Sequence, residues 1–67
     1  MKLVVHKEDD ALYLRLDDTA IVESEEVSDG IILDYNAEGK VVGVEVLYVS
    51  QRSPTSWQQI LLEITPS

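Results

Sequence analysis

Two apolar runs around Asn36-Ala37-Glu38-Gly39-Lys40 constrain this chain more than any other feature. Ile31-Ile32-Leu33 leads in, and Val41-Val42-Gly43-Val44-Glu45-Val46-Leu47-Tyr48-Val49 leads out. Asn can open a type I turn and Gly can take the φ > 0 position that closes it, so residues 30–49 read as a β-hairpin. Neighbouring residues of a strand point to opposite faces. Ile31 and Ile32 therefore cannot face one core, and neither can Val41 and Val42. The pattern predicts a hairpin covered on both sides, by the rest of the chain or by a second copy.

There is little other chain to do the covering. With 67 residues, the sequence makes one domain, 1–67, near the lower limit for unaided folding. A chain of this size buries only about 60% of the surface that its unfolded form exposes. It has no cysteine, so disulfides and thiolate metal sites are excluded. Met1 leads directly into a strand-like segment, with neither a basic n-region nor a long apolar h-region. The apolar runs are far too short to span a membrane. A soluble cytoplasmic protein without membrane contact is the expectation.

Thirteen acidic residues against five basic ones give a formal net charge of −8. Such a surface repels phosphate backbones, and no basic stripe is present, so no nucleic-acid partner is expected. The charge keeps a small domain dispersed, and it also suits a basic protein partner. Both readings stay open.

Ahead of the hairpin, Leu3 and Val5 alternate with Lys2, Val4 and His6, and Leu12, Leu14 and Leu16 share one face of a second strand. Residues 20–27 suggest a third strand of mixed character, and Ser28-Asp29-Gly30 a turn. The hairpin supplies strands four and five. Short connections between successive strands favour an antiparallel meander. The tail then changes period. Ser53-Pro54 fits an N-cap followed by Pro at the first helical position, and Thr55-x-x-Gln58 an alternative capping box. Trp57, Ile60, Leu61 and Ile64 fall on one helical stripe. Ile60, Leu62 and Ile64 also alternate, so a strand competes, but the start signals favour a helix over 53–64. The expected fold is mainly β (α+β): an antiparallel β-meander of about five strands with one C-terminal helix.

Four ordered blocks carry a family resemblance: Asp10-Ala11-Leu12-Tyr13-Leu14-Arg15-Leu16, Glu25-Glu26-Val27, Gly30-Ile31-Ile32-Leu33-Asp34-Tyr35 and Gly39-Lys40-Val41-Val42-Gly43-Val44-Glu45-Val46-Leu47. Over about residues 3–50 the chain resembles a family of small bacterial domains catalogued as domain of unknown function 2283. The resemblance implies a compact, mostly β domain found in bacteria, with no assigned activity. His6-Lys7 and Tyr48-Val49 depart from the Tyr-Asp and Asp-Ala-like pairs of the family pattern. Some relatives resemble companions of small toxin-like proteins, which implies an antitoxin-like partner of a small basic toxin as one alternative role.

Candidate chemistry is sparse. Glu23, Glu25, Glu26 and Asp29 form the densest carboxylate group, and Glu23 and Glu25 share a strand face about 6.5 Å apart. Calcium or magnesium requires several oxygens converging on one point. A flat acidic row fits a solvated edge strand better, where charge discourages edge-to-edge pairing. His6 is the single histidine, and one imidazole makes no transition-metal site. Asp34 and Glu45, on adjacent strands, make a carboxylate pair only if the register allows it. Gly30, Gly39 and Gly43 lie on separate turns and a strand, so they form no phosphate loop. Gly43 inside a strand signals a bulge, or the close approach of a backbone or ring.

No catalytic residue, cofactor or metal is expected on these grounds. The reading is a small protein-interaction module, self-associating as a homodimer or bound to a basic protein. Its interface candidates are Ile32, Val42, Val44, Val46 and Tyr48. A metal- or small-ligand-dependent enzyme using Glu23, Glu25, Asp34 or Glu45 is the rival from another class.

Overall fold

The computed structural model describes residues 1–53, 55, 57 and 58. Five strands form one antiparallel sheet: β1 (Lys2–His6), β2 (Ala11–Arg15), β3 (Glu23–Ser28), β4 (Ile31–Tyr35) and β5 (Val41–Val46). A 3-10 turn, Lys7–Asp9, joins β1 to β2, and a short helix, α1 (Val49–Arg52), follows β5. Among the described residues the fold is thus mainly β, with the short helix α1. The helix expected over 53–64 lies largely outside the described residues. Of its apolar stripe only Trp57 is described: it is half-buried, and its indole donates to Asp10 Oδ1 at 3.1 Å.

The strand order is β1-β2-β5-β4-β3. β3, β4 and β5 run as a meander and β1 and β2 as a hairpin. β2, however, pairs with β5, so residues 16–22 carry the chain past two strands to the far edge. The composition of the strands accounts for this order. β5 is the most buried strand, with Val42 and Gly43 buried and Val44, Glu45 and Val46 half-buried, and it gains most from neighbours at both edges. β3, Glu-Ser-Glu-Glu-Val-Ser, has no apolar row to bury and is exposed along its whole length. Its charges make it a protected edge.

The third strand begins at Glu23, later than residue 20, because the connection before it is held in other ways. The N–H groups of Leu16 and Asp17 both donate to Val42 O, at 2.8 and 3.4 Å. The Arg15 guanidinium donates to Thr19 O, and Asp17 accepts from Asp18 N–H and the Thr19 hydroxyl. Val22 N–H reaches Tyr35 O at 2.9 Å.

The expected hairpin is present, and Asn36 organises its turn. This residue is only 7% exposed. Its Oδ1 accepts the N–H groups of Glu38 and Lys40 at 2.9 and 3.0 Å, and its Nδ2 donates to Thr19 Oγ1 at 3.1 Å. Gly39 takes φ +79°, the left-handed conformation that the turn needs. Asn36 thereby ties the β4–β5 turn to the β2–β3 connection.

Register sorts the side chains into two faces. Leu3 opposes Leu14, Leu14 opposes Val44, Val44 opposes Leu33, and Leu33 opposes Glu25. A second row runs Val5, Leu12, Val46, Ile31 and Ser28. The opposite face carries Lys2, Arg15, Gly43, Asp34 and Ser24 in one row, and Val4, Tyr13, Glu45, Ile32 and Glu26 in the next. One face is apolar with an acidic border along β3; the other is mixed and polar. Pairing slips at Asp34/Tyr35, where Val42 is the extra residue, and at Glu26/Ser28, where Val27 is. Among the described residues, the buried apolar side chains are Ala11, Val42 and Val49. Elsewhere β2, β4 and β5 are mostly half-buried.

Candidate functional site

The polar face is built around a glycine. Arg15, Tyr13, Asp34 and Ser24 form one hydrogen-bonded line across β2, β5, β4 and β3. Tyr13 donates to Asp34 Oδ2 at 2.6 Å, Ser24 donates to Asp34 Oδ1 at 2.6 Å, and Arg15 Nη1 donates to Tyr13 Oη at 3.5 Å. β5 lies between Tyr13 and Asp34, and at the crossing it presents Gly43. A Cβ there would collide with Tyr13 Oη and stand 2.8 Å from Tyr13 Cζ and 2.9 Å from Asp34 Oδ2. Missing side-chain volume is what lets the phenol cross the strand. The bond to Asp34, aided by burial, raises the Tyr13 pKa, so the phenol stays a proton donor through the neutral range. Both Asp34 oxygens are taken. Asp34 opposes Gly43 and Glu45 opposes Ile32, so the two carboxylates are diagonal neighbours and Asp34 is engaged by Tyr13 and Ser24 instead.

A second polar cluster pins α1 to the sheet end. Asp10 caps the 3-10 turn with left-handed φ 54°, a conformation that Asp tolerates better than most residues. Its backbone oxygen accepts Val49 N–H at 3.0 Å, and its carboxylate accepts Ser50 N–H at 2.9 Å, Ser50 Oγ at 2.8 Å and the Trp57 indole at 3.1 Å. The two bonds from Ser50 hold the Asp10 pKa below the usual aspartate value against an opposing desolvation, and the indole adds the least. At the other side of the helix, Arg52 donates to Leu47 O and Asp29 O, both at 2.9 Å. Gly30, at φ +75°, leaves room for the Arg52 and Tyr48 side chains. α1 therefore sits at the end of the sheet and spans neither face.

The apolar face has no polar network in its interior. Leu3, Val5, Leu12, Leu14, Val44, Val46, Ile31 and Leu33 occupy its two rows, with Leu3 38% and Val5 41% exposed. Its polar border is Glu23, Glu25 and Tyr35, whose hydroxyl donates to Glu25 Oε1 at 3.3 Å. Burial, then the neighbouring Glu25 and Glu23 charges, raise the Tyr35 pKa.

The structure separates the five interface candidates. Val44 and Val46 lie on the apolar face and Ile32 on the polar one. Val42 is 1% exposed and belongs to the interior, while Tyr48 is 47% exposed at the N-cap of α1. They form no common patch. The four carboxylates proposed as a weak metal set are also dispersed. Glu23 and Glu25 border the apolar face. Glu26 lies on the other face and accepts Gly30 N–H at 3.0 Å, and Asp29 is in the turn. Among the described residues no three His, Asp or Glu side chains are grouped to hold a metal ion. Among them too, no helix is long and apolar enough to cross a membrane.

The sequence reading missed Tyr13, Arg15 and Ser24 as partners of Asp34, and Asp10 as the anchor of the C-terminal segment. For the first group, the interior glycine of β5 was the available signal. For Asp10, no local signal existed, because its partners lie forty or more positions away.

No curated protein and no solved structure matches the chain. One family model does, over residues 2–50. That segment contains all five strands, the Tyr13–Asp34–Gly43 crossing and the Asp10–Ser50 contact. The chain belongs to the family described as Protein of unknown function (DUF2283).

Proposed function

We propose that the protein is an interaction module whose binding surface is the apolar sheet face formed by Leu3, Val5, Leu12, Leu14, Ile31, Leu33, Val44 and Val46. The observation that carries this reading is the contrast between the faces. On the polar face Arg15, Tyr13, Asp34 and Ser24 engage one another in one hydrogen-bonded line. The apolar face leaves Leu3 and Val5 more than a third exposed and has acids only at its border. An apolar centre with a charged rim is the usual anatomy of a protein-binding patch. Groups that would do chemistry are absent from its interior, which supports a binding role over a catalytic one.

Photo-cross-linking in the native host tests the reading. A photoreactive residue at Val5 is expected to give a discrete protein adduct, whereas the same residue at Lys40, on the exposed turn, gives none. Absence of any adduct from Val5 contradicts the proposal. The adduct mass separates a second copy, at twice 7.5 kDa, from a different protein.

A further inference from the structure

We infer that the central strip of the apolar face is covered by this chain's own C-terminal segment, with Ile60, Leu61 and Ile64 docked along β2 and β5. The inference rests on the reading of the apolar face as a binding surface and gives that surface a built-in competitor. Two described residues carry it. Trp57 and Gln58 have helical backbone, with Trp57 half-buried and Gln58 exposed. Side chains three and four positions apart share one side of a helix. The phase set by this pair therefore puts Ile60, Leu61 and Ile64 on the buried side with Trp57. It turns Gln59, Leu62 and Glu63 to solvent with Gln58.

The contact of Trp57 fixes where the segment starts. Its indole donates to Asp10 Oδ1 at 3.1 Å, and Asp10 immediately precedes β2. The apolar row nearest that end of the sheet is Val5–Leu12–Val46–Ile31, and Leu3–Leu14–Val44–Leu33 is the next. The rows are two residues, about 6.8 Å, apart along a strand, and successive helical turns are about 5.4 Å apart. A helix running from Trp57 along β2 and β5 sets Ile60 and Leu61 over the first row and Ile64 over the second. Residues 57–64 make about 12 Å of helix, enough to cross both.

The same start also leads to the polar face. There the stripe would cover the Val4–Tyr13–Glu45–Ile32–Glu26 row. It would strip water from the half-buried Glu45 carboxylate and offer it no hydrogen bond, a cost that the apolar rows do not impose. A helix is about 10 Å across and strands are about 4.8 Å apart, so the segment covers two strands. Leu3 and Val5 on β1, 38% and 41% exposed, stay outside that strip. A protein that first meets Val5 must displace the segment to reach Leu12, Leu14, Val44 and Val46.

Photo-cross-linking within the purified full chain tests this. A diazirine analogue of leucine replaces Leu61, on the docked side, or Leu62, on the solvent side. The probe at Leu61 is expected to give an intramolecular adduct on Leu12, Leu14, Val44 or Val46, and the probe at Leu62 to lose it. An adduct on Tyr13, Glu45 or Ile32, equal adducts from both probes, or none from Leu61 would overturn the docking. An adduct at twice 7.5 kDa would overturn it in favour of a second copy.

Competition is read with Ile60→Glu/Ile64→Glu, which changes no residue of the sheet, and circular dichroism checks that the strands are retained. This variant is expected to lose the Leu61 adduct and to raise the yield of the Val5 adduct in the host. A Val5 yield that stays level or falls would overturn the competition. The purified chain holds no partner, so a missing Val5 adduct in the host rejects the binding-surface reading and leaves the docking result as measured.

Discussion

Gly43 is the residue on which the polar face depends. A β-carbon at this position occupies the space of the Tyr13 phenol and crowds Asp34. Gly43→Ala is expected to cost about 1–3 kcal/mol, the usual penalty for overfilling a packed site. In a Tyr13→Ala background the same change should cost much less, because the obstructing ring is gone. Urea unfolding of the four proteins checks this, and additive costs would mean that the crossing is not the source of strain. Asp10 gives a pH-dependent test. Its pKa is lowered in the folded chain by the bonds from Ser50 and Trp57. The carboxylate therefore stabilises the fold above its unfolded pKa, and that contribution fades as pH falls through the lower folded value. Asp10→Asn keeps a residue suited to positive φ but cannot accept all three bonds. Thermal melts should show the variant less stable than wild type near pH 6, with the difference shrinking below about pH 4. A difference independent of pH would argue against a role for the charge.

At the scale of elements, Asn36 holds a turn and a distant connection at once. Removing its side chain leaves the Glu38 and Lys40 N–H groups without that acceptor and takes the amide donor from the Thr19 hydroxyl, which keeps its bond to Asp17. Asn36→Ala should cost about 1–3 kcal/mol, and amide exchange should accelerate at Lys40 and in residues 16–22 together. Exchange confined to the turn would show that the connection is held independently. The β4–β5 hairpin was legible because its turn residues and its apolar strands agree, and Gly43 correctly signalled both a bulge and an approaching ring. The early start expected for the third strand was misleading because Ala20, Ile21 and Val22 have strand-like side chains, yet Arg15, Asp17 and Thr19 hold the connection before them as a loop. Strand order was the harder inference. Short connections suggest pairing in sequence order, whereas the insertion of β5 beside β2 follows from which strands can bear exposure. The acidic β3 was the clue. Helix α1 left no trace because a four-residue helix is too short to establish a period.

For the whole molecule, the sequence-level paradox of a hairpin apolar on both sides has a two-part answer. On one side, Ile32 and the glycine-centred network make a face that is mixed and held by the Arg15–Tyr13–Asp34–Ser24 line. On the other, the apolar rows of β1, β2, β5 and β4 remain half-covered. The account assigns that second face to binding, with the C-terminal segment as its occupant when no partner is present, and methyl-detected NMR with an inert soluble paramagnetic probe tests the assignment most directly. At every protein concentration the methyls of Leu12, Leu14, Val44 and Val46 should be protected in the wild type and strongly relaxed in Ile60→Glu/Ile64→Glu, while Val4 and Ile32 stay unchanged. Apolar-face methyls equally relaxed in both proteins would contradict an occupied face, and protection that appears only as concentration rises would contradict an occupant within the chain.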